Sequence, residues 1–206
     1  MKGMRCTVLW FVLLLLAGCG TVPEAIGPEA ESRWQARQVA LNALQNWEFE
    51  GRIAIQREAE GWFAGLHWAQ HGAAYQLKVT GPAGQGMARL DGDAAGVTLT
   101  RSDRTVYQAH TPEELLSTHL GWKVPVTGLH DWIRGLPGPS PATAQRLDAA
   151  GHLVQLHQDA WDIRFDRYVT VDTLELPGRV VLECPTLSVR IIVDRWYPPP
   201  RKASGS

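Results

Sequence analysis

Few residues in this chain have the types and spacing to do chemistry, and most of them fail on geometry. His67 and His71 stand four apart, a spacing that on a helix brings two imidazoles to one metal ion. The residues around them alternate with a period of two, and four residues along a strand span roughly 13 Å. Two ligands of one Zn²⁺ must each lie about 2.0–2.1 Å from it, so the spacing predicts no metal site. His152 and His157, five apart in a second alternating stretch, are expected on opposite faces of a strand. The segment "GPAGQG", residues 81–86, has the glycines of a phosphate loop but neither the Lys-Ser/Thr nor the helix that such a loop requires. It reads as a hairpin tip. Glu113 and Glu114 fall at a helix start, where they complement its dipole. No G-x-S-x-G occurs. An assembled catalytic set, a metal and a cofactor are all absent from the expectation.

The cysteines are more informative. Lys2 and Arg5 precede an apolar run from Thr7 to Leu16, the pattern of an export signal. The run is half the length of about 20 residues that a bilayer span needs. It ends Leu16-Ala17-Gly18-Cys19, which resembles the lipobox of bacterial lipoproteins. That resemblance implies a diacylglyceryl group on the Cys19 sulfur, cleavage after Gly18 and acylation of the new amino group. Residues 1–18 are then the signal, and residues 19–31 are a lipidated N-terminus and flexible tether. Gly20 stands where aspartate would retain the protein in the inner membrane, by resemblance to the sorting rule of enteric bacteria, so the outer membrane is expected. With Cys6 removed and Cys19 acylated, Cys184 in "RVVLEC" has no partner, and it reads as a buried small hydrophobe. The fold must rest on its core.

Charge narrows the partners. The chain carries 20 Lys and Arg against 21 Asp and Glu; without Lys2 and Arg5 the balance is 18 against 21. No basic stripe interleaved with aromatics invites nucleic acid. No basic cluster invites anionic lipid. Membrane contact must come from covalent lipid or apolar insertion.

The elements that position these residues are mostly strands. A helix capped by Ser32 and running to about Asn46 is predicted, with Trp34, Leu41 and Leu44 as its apolar side. The period then changes to two. In "WEFEGRIAIQ", Trp47, Phe49, Ile53 and Ile55 share a face; "GWFAGLHWAQ" follows with Trp62, Leu66 and Trp68 after a turn at "REAE". "AYQLKVT" adds Tyr75, Leu77 and Val79, and further strands are predicted over 85–90, 96–101 and 105–108. Thr111, Pro112 and Gly121 bound a short helix. "GLHDWIRGLPGP" sets Leu129, Trp132, Ile133 and Leu136 on one helical stripe. Alternation returns in Leu153, Trp161, Ile163 and Phe165, in Leu174 and Leu176, in Val180 and Leu182, and in Leu187, Val189, Ile191 and Val193. The tail, residues 198–206, is expected to be disordered. The sum is a mainly β domain over residues 32–197. It should form one antiparallel sheet of about 11 strands, curved or barrel-like, with helices covering part of its apolar face. Eight of the nine tryptophans survive removal of the signal, and Trp62, Trp68, Trp132 and Trp161 are suited to wall an acyl chain.

The lipobox, "NWEFEGRIAIQ", "WFAGLHWAQ", "GPAGQG" and above all "VTGLHDWIRGLPGP" resemble the LolB family over nearly the whole mature chain. The resemblance implies an open antiparallel half-barrel with helices in its concave side, which accepts acylated lipoproteins from the soluble carrier LolA and places them in the outer membrane. The protein would be a monomer anchored by Cys19 and facing the periplasm. Candidate acyl-chain contacts are Phe49, Ile53 and Ile55; Trp62, Leu66 and Trp68; Leu77 and Val79; Trp132, Ile133 and Leu136. Ile163, Phe165, Leu182, Val189 and Ile191 complete the set. Pro82, Ala83 and Gly84 match the family's membrane-insertion loop, which carries a protruding large apolar residue where this chain has Ala83. Either Met87 or Val79 then substitutes for it, or the protein engages the membrane more weakly. The other readings are an envelope module for another apolar ligand such as a glycolipid, and an envelope hydrolase.

Overall fold

The computed structural model describes residues 27–82 and 86–197. The signal, the acyl anchor Cys19, the loop residues Ala83 and Gly84 and the tail lie outside the described residues. The first described element, α1 (Pro28–Asn42), begins before Ser32, the expected cap, and ends before Asn46. Pro28 at the first helical position and Glu29 and Glu31 in the first turn suit a helix start. Residues 28–31 are therefore helical rather than tether, and Ala30 is already buried.

Period-two alternation then builds a sheet. β1 (Asn46–Arg57) and β2 (Glu60–His71) pair antiparallel, from Asn46 opposite His71 to Arg57 opposite Glu60. Trp47, Phe49, Ile53 and Ile55 of β1 and Ala64, Leu66 and Trp68 of β2 are buried, while Glu50, Arg52 and Gln56 stay in solvent. A meander continues through β3 (Ala74–Thr80), β4 (Gly86–Asp93), β5 (Gly96–Arg101) and β6 (Val106–Ala109). Next come α2 (Pro112–Leu120) and α3 (Val126–Trp132), then β7 (Ala144–Leu147), β8 (Leu153–Gln158) and β9 (Trp161–Asp166). The hairpin β10 (Val169–Val171) and β11 (Leu174–Leu176) forms a separate two-stranded sheet. β12 (Arg179–Cys184) and β13 (Leu187–Tyr197) return to the main sheet, where β13 pairs with β1.

The main sheet has 11 strands in the order β6-β5-β4-β3-β2-β1-β13-β12-β9-β8-β7. Each described pair is antiparallel, and the edge strands β6 and β7 are not joined. This is the open half-barrel that the resemblance implies, built from the strands that the alternation marks. Its topology also explains the helices. The chain leaves one edge at β6 and re-enters at the opposite edge, β7, so the connection must cross a face of the sheet. α2 and α3 make that crossing over the apolar face, where Leu116, Val126 and Leu129 meet Ile53, Leu66 and Leu77.

α2 follows the local rules. Thr111 accepts a hydrogen bond from the Glu114 N–H at 3.3 Å, Pro112 opens the helix, and Gly121 ends it at φ 70°. α3 is shorter than its stripe suggested. It stops at Trp132 and the chain turns at Gly135, φ 78°, so Leu136 reaches the core from outside the helix. Cys184, expected in the core, is the half-buried last residue of β12, 3.7 Å from the Thr186 hydroxyl.

Candidate functional site

The concave face is packed around Gln158 and holds a small apolar cavity under the crossover. On the packed side, Gln158 is fully buried on β8 and holds the end of α3. Its Oε1 accepts from the Trp132 indole at 2.7 Å and from the Gly138 N–H at 2.8 Å. Its Nε2 donates to the carbonyls of Gly138 and Ser140. Every polar group of this buried amide is used, which is what burial demands. Ile133, Leu136, Ile163, Phe165, Leu182, Val189 and Ile191 lie buried in the same core. Phe49 and Trp68 belong to an aromatic cluster with Trp47 and Trp196, their ring centroids 5.1–6.4 Å apart.

The cavity side lies under α2, α3 and the linker between them. Ile53, Ile55, Trp62, Leu66, Leu77 and Val79 from the sheet enclose a cavity with Leu116, Trp122, Val124, Val126 and Leu129 above. Its volume is about 30 Å³, and all eleven lining residues are apolar. Outside it lies a vestibule of about 680 Å³, where Arg57, Glu60 and Lys123 join Leu120 and Leu187 on the rim. Ile55, Trp62 and Trp122 line both spaces.

Six of the residues singled out in the sequence therefore line one cavity. The other ten sit in the packed core or the aromatic cluster. The sequence reading missed Leu116, Trp122, Val124, Val126 and Leu129. Trp122 carried the one available signal, a large aromatic directly after a helix-ending glycine in a stretch too short to bury it locally.

The vestibule opens at the end of the sheet that carries the β1–β2 turn and the β3–β4 connection. The ladder sets Gly65 opposite Thr80, so the "GPAGQG" segment leaves β3 toward that end. Pro82 is exposed there in a turn. Val79 cannot replace a protruding loop residue, because it is 4% exposed and lines the cavity. Met87 on β4 is half-buried.

The histidines are structural. His67 on β2 meets the Glu48 carboxylate at 2.8 Å. His152 lies just before β8 rather than on it, with its two ring nitrogens each 2.9 Å from a carboxylate oxygen, of Asp148 and of Glu175. Among the described residues no group of three His, Cys, Asp or Glu is placed to hold a metal. What the arrangement offers chemically is a wholly apolar wall beside a rim that carries Arg57, Glu60 and Lys123.

A family model described as outer membrane lipoprotein LolB matches residues 45–196. The chain is 38% identical to the outer-membrane lipoprotein LolB of Nitrosococcus oceani, over 95% of this chain and 98% of that one. It is 35% identical to the Pseudomonas aeruginosa protein of the same name, over 90% and 92% of the two chains. Among solved structures it is similar to a LolA superfamily protein from Nitrosomonas europaea, with a TM-score of 0.56 over 85% of this chain and 96% of that one. At 7% identity that likeness is one of fold.

Proposed function

The chain belongs to the LolB family of outer membrane lipoproteins, and from that premise we propose that it receives acylated lipoproteins from a LolA-like periplasmic carrier and inserts them into the outer membrane. The observation that carries the reading is the wholly apolar cavity under the crossover, with its vestibule at the β1–β2 turn. Burying acyl chains is worth about 0.8 kcal/mol per methylene, so a lipoprotein does not cross water unassisted. A receiving site needs apolar walls to hold the chains and a mouth near the bilayer to release them. Both sit at one end of this sheet. The work is transfer down an affinity gradient, with no bond made or broken.

The remaining parts of the reading follow the sequence. Acylated Cys19 holds the domain, a monomer, at the outer membrane on the periplasmic side, and the segment before α1 gives it reach. The loop at Pro82, Ala83 and Gly84 meets the bilayer during release.

The test is to mix carrier loaded with a labelled lipoprotein with the full-length protein in lipid vesicles, then follow the cargo. Passage from carrier to this protein and on to the vesicle lipid is expected. Cargo that stays on the carrier would rule the function out, and binding of glycolipid alone would support the envelope-module alternative.

A further inference from the structure

We infer that Trp122 is a displaceable plug, and that an acyl chain enters the cavity by lifting this indole off Trp62. The inference rests on the receiving function proposed above. At about 30 Å³ the cavity has room for a water or two. Small-ligand sites occupy roughly 300–1,000 Å³. An occupied site must be larger than this one, so part of its wall moves.

The wall elements differ in how they are held. β1 is laddered on both sides, to β13 and to β2, and β2 is laddered on to β3. The far end of α3 is fixed by the Trp132–Gln158 bond at 2.7 Å, and the chain beyond it by Arg134, which donates to the carbonyl of Leu41 at 2.9 Å. The linker from Gly121 to Pro125 has only local backbone bonds. The Trp122 N–H donates to the Leu116 carbonyl and the Val126 N–H to the Val124 carbonyl, both at 3.0 Å.

Among the described residues Trp68, Trp132 and Trp196 donate their indole N–H to a protein acceptor. The Trp122 indole has no such bond among them, as is also true of Trp34, Trp47, Trp62 and Trp161. It meets the sheet through ring contact with Trp62, the centroids 4.5 Å apart at 44°. Those two rings and Ile55 line both vestibule and cavity. One end of the linker offers a pivot: Gly121 is left-handed at φ 70° with open space where a side chain would stand. The other end, Pro125, is held by its carbonyl, which accepts from the Leu129 N–H at 2.9 Å. Swinging the linker outward merges the two spaces, and acyl methylenes take over the ring's contacts on Ile55 and Trp62.

Two measurements on the full-length protein in vesicles test this. The first is the rate of cargo acceptance from loaded carrier. Trp122→Ala should accept at least fivefold faster than wild type, and Trp122→Phe, whose ring is smaller than an indole, should fall between the two. The second needs no substitution: amide exchange at Trp122 and Val124 should quicken when cargo is bound. Slower or unchanged acceptance by Trp122→Ala, or exchange that slows with cargo, would make Trp122 a fixed wall and overturn the plug while leaving the receiving function intact. Acceptance by no variant, wild type included, would overturn that function and the plug with it.

Discussion

The guanidinium of Arg134 donates to the carbonyl of Leu41 at 2.9 Å, joining the segment after α3 to the last turn of α1 across 93 residues of sequence. It reaches the Leu44 carbonyl as well, at 3.3 Å, and pairs with Asp131. Leu41 lies in the last turn of α1, and its carbonyl also accepts from the Leu44 N–H at 3.1 Å. Arg134 is 4% exposed, and its burial holds the guanidinium pKa below the ordinary arginine range against the pull of Asp131. One side chain thus fixes the first helix and the end of the helical crossover to each other.

Arg134→Met should therefore be costly. It removes one of two donors on the Leu41 carbonyl, the contact with the Leu44 carbonyl and one of two partners of the Asp131 carboxylate, a loss of about 2 kcal/mol. Urea unfolding should show this as a lowered midpoint with an unchanged slope. Arg134→Lys, with one donor group in place of a fork, should fall between the two. A midpoint within experimental error of wild type for Arg134→Met would mean the contact contributes nothing net.

Tyr168 predicts how stability responds to alkali. Its hydroxyl donates to the Leu153 carbonyl at 2.7 Å, its ring stacks on His152, and Arg37 lies over the ring. Burial pushes the phenol well above its usual range; Arg37 pulls the other way, and Asp148 and Glu175 add to the rise. Tyr75 shifts in the same direction, again chiefly through burial. An unfolded tyrosine loses its proton near pH 10, whereas these stay protonated while the chain is folded. Their contribution is therefore complete below about pH 10 and falls as pH rises beyond it. Unfolding midpoints should be flat with respect to these groups between pH 8 and 9 and should drop above 10. Tyr168→Phe should cost about 1 kcal/mol at pH 8 for the lost hydrogen bond and should flatten the alkaline fall. An equally steep fall in the variant would remove Tyr168 from the cause.

The β3–β4 loop gives a prediction about release. A leucine exposes more apolar surface than an alanine, worth on the order of 1 kcal/mol on insertion. Ala83→Leu should leave acceptance from the carrier unchanged and speed release into vesicles. Ala83→Glu should slow release, since a carboxylate resists entry into lipid. Equal release by wild type and both variants would show that this loop is not the insertion device.

What the sequence made legible follows from the range of each signal. Alternation in "WEFEGRIAIQ" and "GWFAGLHWAQ" named the buried face, because each strand reports its own two sides. Thr111, Pro112 and Gly121 marked α2 because caps act within a turn. Face, however, is not depth. Ile53 and Ile163 both point inward, yet only Ile53 lines the cavity, and that depends on where a crossover some 60 to 80 residues later in the chain than β1 comes to lie. The contact of Trp122 with Trp62 and the burial of Gln158 have the same long-range origin. α1 was begun too late because Pro28 and its acidic neighbours, which open a helix, read equally well as a tether.

The most direct test of the account is where an acyl chain lies in the protein. A lipoprotein carrying a photoreactive group midway along its acyl chains would be loaded on the carrier, passed to the full-length protein and irradiated before release. The account predicts label on Ile53, Leu66, Leu77 and Leu129, around the cavity between sheet and crossover. Label confined to the outward face, at Arg52 or the exposed Phe63, or to the packed core at Ile163 and Leu182, would contradict it.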